Sequence, residues 1–399
     1  MNFSNKLKLC ASKTRPNAKP ENVTSKYKKQ KSFTSLIKKI KMETTNGFEI
    51  DFLPQGTGAD GGDAIVIRFG KLKATPPEQK VIVIDGGYKA SAASLVNLIK
   101  NTYKTNVVDL VILTHPDQDH ASGLRVLFED TELKIKKLVM HRPWLNDKIN
   151  TSYFKDKKKT EKSLNKHLEE AFYFAFDLSV LAEEKIGESN ISEPKVGSKY
   201  LDDTLTILGP TFELYKDSLI NSDKTPPAKD EYIKESQQTF STDESEYEDY
   251  KAGDKITWYD EETTNWINET SVICLFEYEG NKILLTGDAG KKGLNNAFAY
   301  AKEKGISLKD LKIFQVPHHG SRKNLDPALL DAFNSSFCII SCPPKGDPNH
   351  PSRRLINLMI QKGKSVYTNS NGMINWGINK PERNWKSSEA KTVFPKIEK

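Results

Sequence analysis

The sequence predicts an α/β fold, because short β-branched runs alternate with segments of helical spacing. The runs FEIDFL, DAIVIRF, VIVIDGG and VDLVILTH follow one another from Phe48 and are separated by Gly, Pro and polar turns. Between the last two, SAASLVNLIKNTY has the apolar spacing of a helix. Several strands run directly into His and Asp clusters, and loops at strand ends are where α/β proteins carry their chemistry. We therefore expect a functional site at one edge of a sheet.

Length and composition are those of a globular protein without a membrane span. The chain has 399 residues, 60 Lys and Arg against 53 Asp and Glu, and a net charge of +7. No apolar run approaches the roughly 18 residues that a membrane span needs, and the N-terminus has no secretory signal. We therefore expect a cytoplasmic location. Four irregularly spaced cysteines exclude a disulfide framework.

The positive charge is concentrated in one segment. Residues 1–42 contain twelve Lys or Arg and a single acid, Glu21, which predicts a flexible basic arm over 1–46. Residues 230–249 contain eight acids and one lysine, which predicts an exposed, mobile acidic segment. Either segment could bind a protein partner, and the arm could contact nucleic acid. The rest of the chain is nearly neutral.

Further elements follow along the chain. After the strand LKIKKLVMH, the segment EKSLNKHLEEAFYFAFDLSVLAEEKIGE has the spacing of an amphipathic helix. SVICLFEYEG and NKILLTGDAG form a predicted hairpin with a Gly-Asn turn, and AFAYAKEKG a helix. LKIFQVPHHGS and FCIISCPP are predicted strands running into loops. SVYTNSNGMINWGI is a predicted second hairpin.

The motif HPDQDH is the strongest chemical signal. The apolar strand VDLVILT leads into His115, Asp117, Asp119 and His120. A mixture of imidazoles and carboxylates converging on one loop is the donor set that divalent metals bind. The motif therefore predicts a metal site.

Two later motifs have the same character. LLTGDAG delivers Asp288 at the end of a strand, where a carboxylate can bridge two cations. VPHHGS places His318 and His319 after another strand, and His350 follows in PNHPS. We expect at least one of the paired histidines to act in the site.

A competing motif is GTGADG, in which Gly56, Gly58 and Gly61 fit G-x-G-x-x-G, with Asp85 further on. That dinucleotide-binding fingerprint requires a helix directly after the glycines. Here DAIVIRF follows and then the proline-containing KATPPEQ, so the segment predicts a β-hairpin instead.

Taken in order, these motifs resemble the metallo-β-lactamase fold, and most of all the hydrolase domain of the DNA-uptake channel ComEC, here without the membrane channel. The resemblance covers residues 47–378, within which 143–262 match poorly and are interpreted as an insertion; 379–399 form a C-terminal tail. It implies an αββα sandwich with a two-metal site at one edge.

The resemblance also implies roles. His115 and Asp117 would hold the first metal, Asp119 and His120 the second, and Asp288 would bridge them. His318 corresponds to the late metal ligand, with His319 beside it as a ligand or a support. His350 is a third candidate for the last ligand, or a general acid. Asp119, His319 and His350 are the candidate catalytic residues.

Two departures from the wider superfamily affect the expected metal. Asp117 stands where most of its enzymes have His, and Asn268, in NETS, stands where they supply another His, as in the ComEC-like branch. An oxygen-rich site favours Mn²⁺ or another hard ion over strict zinc. His141 is the spare histidine that is available to compensate.

The predicted activity is hydrolysis by a water that two divalent ions, Zn²⁺ or Mn²⁺, activate. A phosphodiester of DNA or RNA is the first expectation for the substrate. The alternatives are a small phosphodiester, such as a cyclic nucleotide or phosphocholine ester, and a lactone, lactam or thioester. A non-catalytic partner-binding module of the same fold is the rival class.

Deletion of residues 1–42 is expected to weaken salt-dependent binding to DNA or RNA while leaving hydrolysis of a small substrate unchanged. The reason is that most of the long-range attraction for phosphates comes from the arm. Binding measured against salt concentration, together with rates on a chromogenic phosphodiester, checks this. Equal salt slopes for the two proteins would contradict it.

Overall fold

The computed structural model of the chain describes residues 45–54, 61–145, 149–156, 160–234, 247–258, 263–343, 350–384 and 388–398. The predicted basic arm, 1–46, lies outside this part of the chain except for its last two residues. Within the acidic segment 230–249, residues 235–246 also lie outside it. The expected flexibility and partner binding of both segments stay predictions.

The first of two seven-stranded sheets has the order β17-β1-β2-β3-β5-β7-β8. The four strands β17, β1, β2 and β3 are antiparallel, and β3, β5, β7 and β8 are parallel. The strands are β1 (Gly47–Phe52), β2 (Ala64–Lys71), β3 (Glu78–Gly86), β5 (Leu110–Ile112), β7 (Leu138–Val139), β8 (Ile191–Ser192) and β17 (Ile374–Ile378). Beside them, β4 (Val107–Val108) pairs with β6 (Lys134–Ile135).

The second sheet has the order β16-β15-β14-β13-β12-β10-β9. Its strands β13 to β16 are parallel, and β9, β10, β12 and β13 are antiparallel. The strands are β9 (Lys199–Tyr200), β10 (Leu205–Gly209), β12 (Ile273–Tyr278), β13 (Asn281–Leu285), β14 (Leu311–Gln315), β15 (Ser335–Ile340) and β16 (Ser365–Thr368).

Helices connect the strands, because parallel neighbours need a crossover between them. They are α1 (Ala92–Asn97), α2 (Gln118–Ala121), α3 (Leu124–Glu129), α4 (Glu161–Ala171), α5 (Tyr173–Ile186), α6 (Phe212–Asn221), α7 (Lys291–Glu303), α8 (Pro327–Ala332) and α9 (Arg353–Gln361). A π-helical turn, Leu98–Thr102, extends α1. Within the described ranges, no helix combines the length and the apolar character that crossing a membrane requires.

Three apolar cores separate four layers. The central core is formed by side chains from both sheets, and the ring centroids of Phe48 on β1 and Phe276 on β12 lie 5.4 Å apart. A second core lies between the first sheet and its helices and includes Leu95 of α1. The third packs the second sheet against its own helices and includes Leu294 of α7. This arrangement confirms the predicted αββα sandwich.

The structure confirms two local predictions and corrects a third. Strand β2 follows Gly61 and pairs antiparallel with β3, so the G-x-G-x-x-G segment does not lead into a helix; Gly56 and Gly58 lie outside the described residues. Strands β12 and β13 form the predicted hairpin. The predicted hairpin over SVYTNSNGMINWGI is wrong, because β16 joins the second sheet and β17 the first. The local pattern cannot distinguish a turn from a crossing between sheets.

The segment interpreted as an insertion, 143–262, is partly built into the sandwich. It supplies the edge strand β8 to the first sheet and β9 and β10 to the second. The predicted long helix is two helices, α4 and α5, separated at Phe172. Strands of two to five residues carry too little periodicity to be found from sequence. The domain boundaries themselves stay a prediction.

The predicted C-terminal tail, 379–399, is anchored at its end. Strand β18 (Lys396–Glu398) pairs with β11 (Tyr247–Asp249), which belongs to the acidic segment. The fully buried side chain of Arg354 holds both: its Nε donates to the Glu398 carbonyl at 2.6 Å, and its Nη2 donates to the Glu248 carboxylate at 2.6 Å. At 247–249, the acidic segment is therefore paired.

Arg354→Ala is expected to lower the free energy of unfolding by about 2 to 3 kcal/mol, because it removes the hydrogen bonds that a fully buried guanidinium donates to Glu248 and to the Glu398 carbonyl. Arg353→Ala is the matched control. Arg353 is exposed and lies 5.0 Å from the centroid of the Tyr247 ring, a contact worth about 1 kcal/mol. Urea unfolding of both variants measures the difference. Equal losses would contradict this account of Arg354.

Candidate metal centre

The predicted site residues converge at one edge of the sandwich, and both sheets contribute. His115, Asp117, Asp119 and His120 follow β5 of the first sheet. From the second sheet, Asp288 follows β13, and the pair His318 and His319 follows β14. Because β13 and β14 are parallel neighbours, their carboxyl ends lie side by side. The site therefore joins the ends of three strands.

Asp288 lies at the centre of the cluster and is almost completely buried. Its Oδ1 is 3.4 Å from His120 Nε2. Its Oδ2 is 3.7 Å from Nε2 of His115, 3.7 Å from Nε2 of His318 and 3.8 Å from Nε2 of His319. The two oxygens of one carboxylate thus face different imidazoles, as a carboxylate that bridges two cations requires.

Two further carboxylates complete the cluster on the first-sheet side. Asp119 Oδ2 is 3.4 Å from His120 Nε2 and 3.2 Å from His319 Nε2. Asp117 Oδ2 is 3.6 Å from His115 Nε2, and its side chain is 40% exposed. Asp117 therefore lies at the mouth of the site, with Asp119 deeper inside.

Each of the four clustered imidazoles has a polar partner at Nδ1, on the side away from Asp288. A partner of this kind orients a metal-binding histidine and leaves Nε2 for the cation. The Nδ1 partners are Thr114 Oγ1 for His115 at 3.1 Å, Asp85 for His120 at 2.8 Å, Asn324 Oδ1 for His318 at 3.0 Å and the Ser341 carbonyl for His319 at 3.0 Å.

The backbone turns the paired histidines toward the same cluster. His318 and His319 have φ of 49° and 51°, a left-handed backbone conformation that residues other than glycine seldom adopt. Gly61 lies against the His319 ring, and a Cβ at that position would lie 2.4 Å from His319 Cγ. The last glycine of the G-x-G-x-x-G segment is therefore needed for this close approach.

Several atoms of the cluster lack the partner that burial demands. His115 Nε2, His120 Nε2 and Asp288 Oδ1 are buried and have no hydrogen-bond partner among the described residues. Unsatisfied buried polar atoms are rare in folded proteins, and a site for a bound ion is one reason for them. Ligand atoms of His115, His120 and Asp288 lie within 4.8 Å of one another, as do those of Asp119, His120 and His319. These residues fit divalent cations.

In this cluster, interactions between opposite charges shift the pKa values of the side chains more than burial does. Despite burial, the carboxylates of Asp119, Asp288 and Asp85 raise the pKa of His120 well above its usual range. Against the same burial, Asp288 and Asp119 raise the pKa of His319 to about 9. In turn, the imidazoles lower the pKa of Asp288 to about 2. The ionised carboxylates therefore favour cations, whether protons or metals.

Asp85 is a site residue that sequence reasoning missed, because it was considered only as part of the dinucleotide fingerprint. It is completely buried at the end of β3, with φ of 55°. Besides contacting His120, its carboxylate accepts hydrogen bonds from the Thr114 backbone N–H at 2.7 Å and the Thr114 hydroxyl at 2.6 Å. An Asp at the end of the apolar strand VIVIDGG was the available signal.

Asp63 and Asn324 were also missed, and no local sequence pattern marks them. Ligand atoms of Asp63, Asp85 and His120 lie within 4.8 Å of one another, and Gln315 Nε2 donates to Asp63. Asn324 Nδ2 donates to the Asp288 carbonyl at 2.8 Å while its Oδ1 contacts His318. Asp63 thus lies beside His120, and Asn324 lies beside His318.

The remaining candidates have different positions. Asn268 is buried beside the site, with Nδ2 3.3 Å from His318 Nδ1. The His350 ring centroid is 4.9 Å from that of His318. His141 contacts Glu193 at 3.0 Å and stacks on Tyr215 at 3.8 Å. It belongs to none of the three possible metal-binding groups in the described part of the chain.

The comparisons with known proteins agree with this architecture. Residues 57–211 match the family model of the metallo-beta-lactamase superfamily. Over these residues, the chain resembles a metallo-beta-lactamase superfamily domain. The match to this superfamily includes Asp85 and the HPDQDH motif and ends before Asp288, His318 and His319. No curated protein matches the chain.

Solved structures with similarity to this chain have low sequence identity. The metallo hydrolase Igni18 from Ignicoccus hospitalis is 12% identical, with a TM-score of 0.40, and the alignment covers 82% of this chain and 98% of that one. A diphosphatase of the PhnP family is 10% identical, with a TM-score of 0.36 and coverage of 84% and 99%. The long-form RNase Z from yeast is 9% identical, with a TM-score of 0.34 and coverage of 84% and 42%.

Asp85→Asn is expected to weaken binding of Mn²⁺ or Zn²⁺ about 10- to 100-fold, because the charged partner that orients His120 is lost. Asp109→Asn is the control: Asp109 is a buried acid that accepts from the Val81 N–H at 2.8 Å, and it is in none of the metal-binding groups. Metal titration by calorimetry measures both. Equal losses in the two variants would show a general effect on folding instead.

Proposed function

We propose that the chain is a metal-dependent hydrolase that cleaves phosphodiesters, with DNA or RNA as the first expected substrate class. The observation that carries the proposal is Asp288, a buried carboxylate whose two oxygens face imidazoles from both sheets. The proposal includes a substrate specificity similar to that of the ComEC-type hydrolase domain.

The distances support a division of the ligands between two cations. His115, Asp117 and His318 would hold one cation. Asp119, His120 and His319 would hold the other, and Asp288 would be shared between the two. In this assignment, both paired histidines are ligands, and each has its Nδ1 held by an oxygen. Asn268 and His141 have no ligand role.

The proposed donor set is rich in oxygen. Three carboxylates, Asp117, Asp119 and Asp288, contribute beside four imidazoles, and Asp117 replaces the imidazole of most relatives. Carboxylates favour harder cations such as Mn²⁺, whereas imidazoles also suit Zn²⁺. We propose two divalent ions and expect Mn²⁺ to support more activity than Zn²⁺.

Bound divalent cations supply Lewis-acid activation of a water and of the scissile group. Residues of the chain itself would hold and transfer protons near these cations. Asp119 lies between His120 and His319, with its Oδ2 3.4 Å from Nε2 of the first and 3.2 Å from Nε2 of the second. Burial and the neighbouring His318 and His319 lower the pKa of His350 to about 3, so its ring is neutral. As a neutral imidazole with so low a pKa, His350 is suited to hydrogen-bond the substrate rather than to act as a general acid or base.

Charge supports an anionic substrate. Two divalent cations would offset the negative charge of the three ligand carboxylates, so that a phosphodiester could bind to the cations. Arg322 and Lys323 follow the paired histidines after Gly320 and Ser321, and the charge of Lys323 contributes to the low pKa of His350. A phosphate bound at the cations would thus lie near additional cationic side chains.

Asp288→Ala, Asp119→Ala and His120→Ala are each expected to abolish metal-dependent hydrolysis without unfolding the chain, because each removes a proposed metal ligand of the centre. Asp331→Ala is the control, since Asp331 is an exposed acid on α8 that pairs with Lys362 at 2.7 Å. Metal content, thermal unfolding and turnover are measured on each variant.

The substrate panel comprises single- and double-stranded DNA, RNA, cyclic nucleotides, a phosphocholine ester and a chromogenic phosphodiester, each with Mn²⁺ and with Zn²⁺. Activity on a lactone, lactam or thioester alone would overturn the phosphodiester proposal. Wild-type rates in any of the three site variants would overturn the site assignment. Metal binding without hydrolysis of anything in the panel would favour a non-catalytic module.

A further inference from the structure

A cleft of about 670 Å³ opens beside the loop that carries Asp117 and Asp119. Its other walls are the α4–α5 junction, residues 172–174, the end of α6, residues 221–224, and residues 265–267. This volume lies in the range of small-molecule pockets, about 300 to 1,000 Å³. The cleft shares two proposed ligand residues with the metal centre, so a group attached to a phosphate at that centre can enter it.

Tyr173 presents an exposed aromatic ring at this cleft. Its side chain is 55% exposed, which is unusual for a large aromatic residue. The neighbouring Phe172 is buried in the core where α4 ends, so the next residue in the chain is directed outward. Phe174 packs edge-on against the Tyr173 ring, with centroids 5.5 Å apart. The Tyr173 ring is thus held in place with a face that can stack on another flat ring.

A second part of the cleft wall is also aromatic. Trp266 lines the cleft with 6% of its surface exposed, and Lys292 Nζ lies 3.8 Å from the centroid of its ring. This cation–π contact holds the indole ring in place. An aromatic wall and an exposed tyrosine together favour a planar ligand.

The charges of the cleft argue against a run of phosphates. Apart from the proposed ligands Asp117 and Asp119, its charged lining residues are Asp223 and Lys224, one of each sign. A groove that follows a nucleic-acid backbone is lined by several lysines or arginines. The other polar groups are neutral amides and hydroxyls, including Gln118 and Asn265. These groups suit the edge of an uncharged ring.

We propose that this cleft binds a flat aromatic ring attached to the scissile phosphate, by stacking on Tyr173. The ring is a nucleobase if the substrate is a nucleotide ester, or a simple aromatic ring if it is an aryl ester. The inference rests on the proposed function for the position of the phosphate. It adds that the folded domain recognises one ring next to the phosphate rather than a length of nucleic-acid backbone.

The test compares three phosphates binding to the Mn²⁺-loaded protein by calorimetry. AMP and ribose 5-phosphate differ only in the base, and phenyl phosphate carries a simple ring. We expect at least one of the two ring-bearing phosphates to bind about 10-fold or more tightly than ribose 5-phosphate, as base stacking on an aromatic side chain supplies. Tighter binding of AMP than of phenyl phosphate identifies the ring as a nucleobase, and the reverse order identifies an aryl ester.

Tyr173→Ala is expected to bring the ring-bearing phosphates to within about 2-fold of ribose 5-phosphate, and Tyr173→Phe to keep the preference. Val180→Ala, another exposed apolar residue of α5, is the control and keeps it as well. No preference in the wild type, or an unchanged preference in Tyr173→Ala, overturns the inference. These measurements need no turnover. Hydrolysis without ring preference would therefore overturn this inference alone, and ring preference without hydrolysis would overturn the proposed function alone.

Discussion

The buried carboxylate of Asp288 is the contact on which the site depends, because it joins the two sheets electrostatically. His115 and His120 approach it from the first sheet, and His318 and His319 from the second. Burying an ionised carboxylate costs several kcal/mol unless opposite charge compensates it. In the absence of metal, protonated imidazoles supply that charge, which is why the pKa of His319 rises to about 9. Divalent cations would take over this role and displace protons from the histidines.

Close backbone approaches make this convergence possible. At Gly123, just after the HPDQDH loop, a Cβ would lie 1.9 Å from the carbonyl oxygen of Gly86 at the end of β3. The same proximity brings Asp85 to His120, at 2.8 Å. Gly61 allows the His319 ring to pack against the backbone that precedes β2. Gly61, the last glycine of a motif that resembles a phosphate-binding loop, therefore allows a close approach beside the paired histidines.

The sequence predicted those parts of the site that follow apolar strands and carry a local pattern. HPDQDH, Asp288 and the paired histidines were found for this reason, and the structure brings them together. Asp63 and Asn324 are single polar residues whose importance comes from partners far along the chain, Gln315 for one and the Asp288 carbonyl for the other. Asp85 had a visible signal but was considered under the wrong motif. In the fold, β16 and β17 were mistaken for a hairpin because adjacent strands that join different sheets have no distinguishing pattern.

The charge distribution separates three steps of recognition that composition alone merges into a single net charge of +7. The basic residues of the N-terminal segment would attract phosphates only over distances of about 10 Å or less at physiological salt. This attraction would not distinguish the groups that are bonded to a phosphate. The proposed metal centre recognises one phosphate through ligands that both sheets hold in place. The cleft at Tyr173 has one acid and one lysine beyond the shared ligands, so it gives a polyanion no advantage over a single nucleotide. Recognition by the folded domain is therefore local, and any preference for long nucleic acids has to come from outside the cleft.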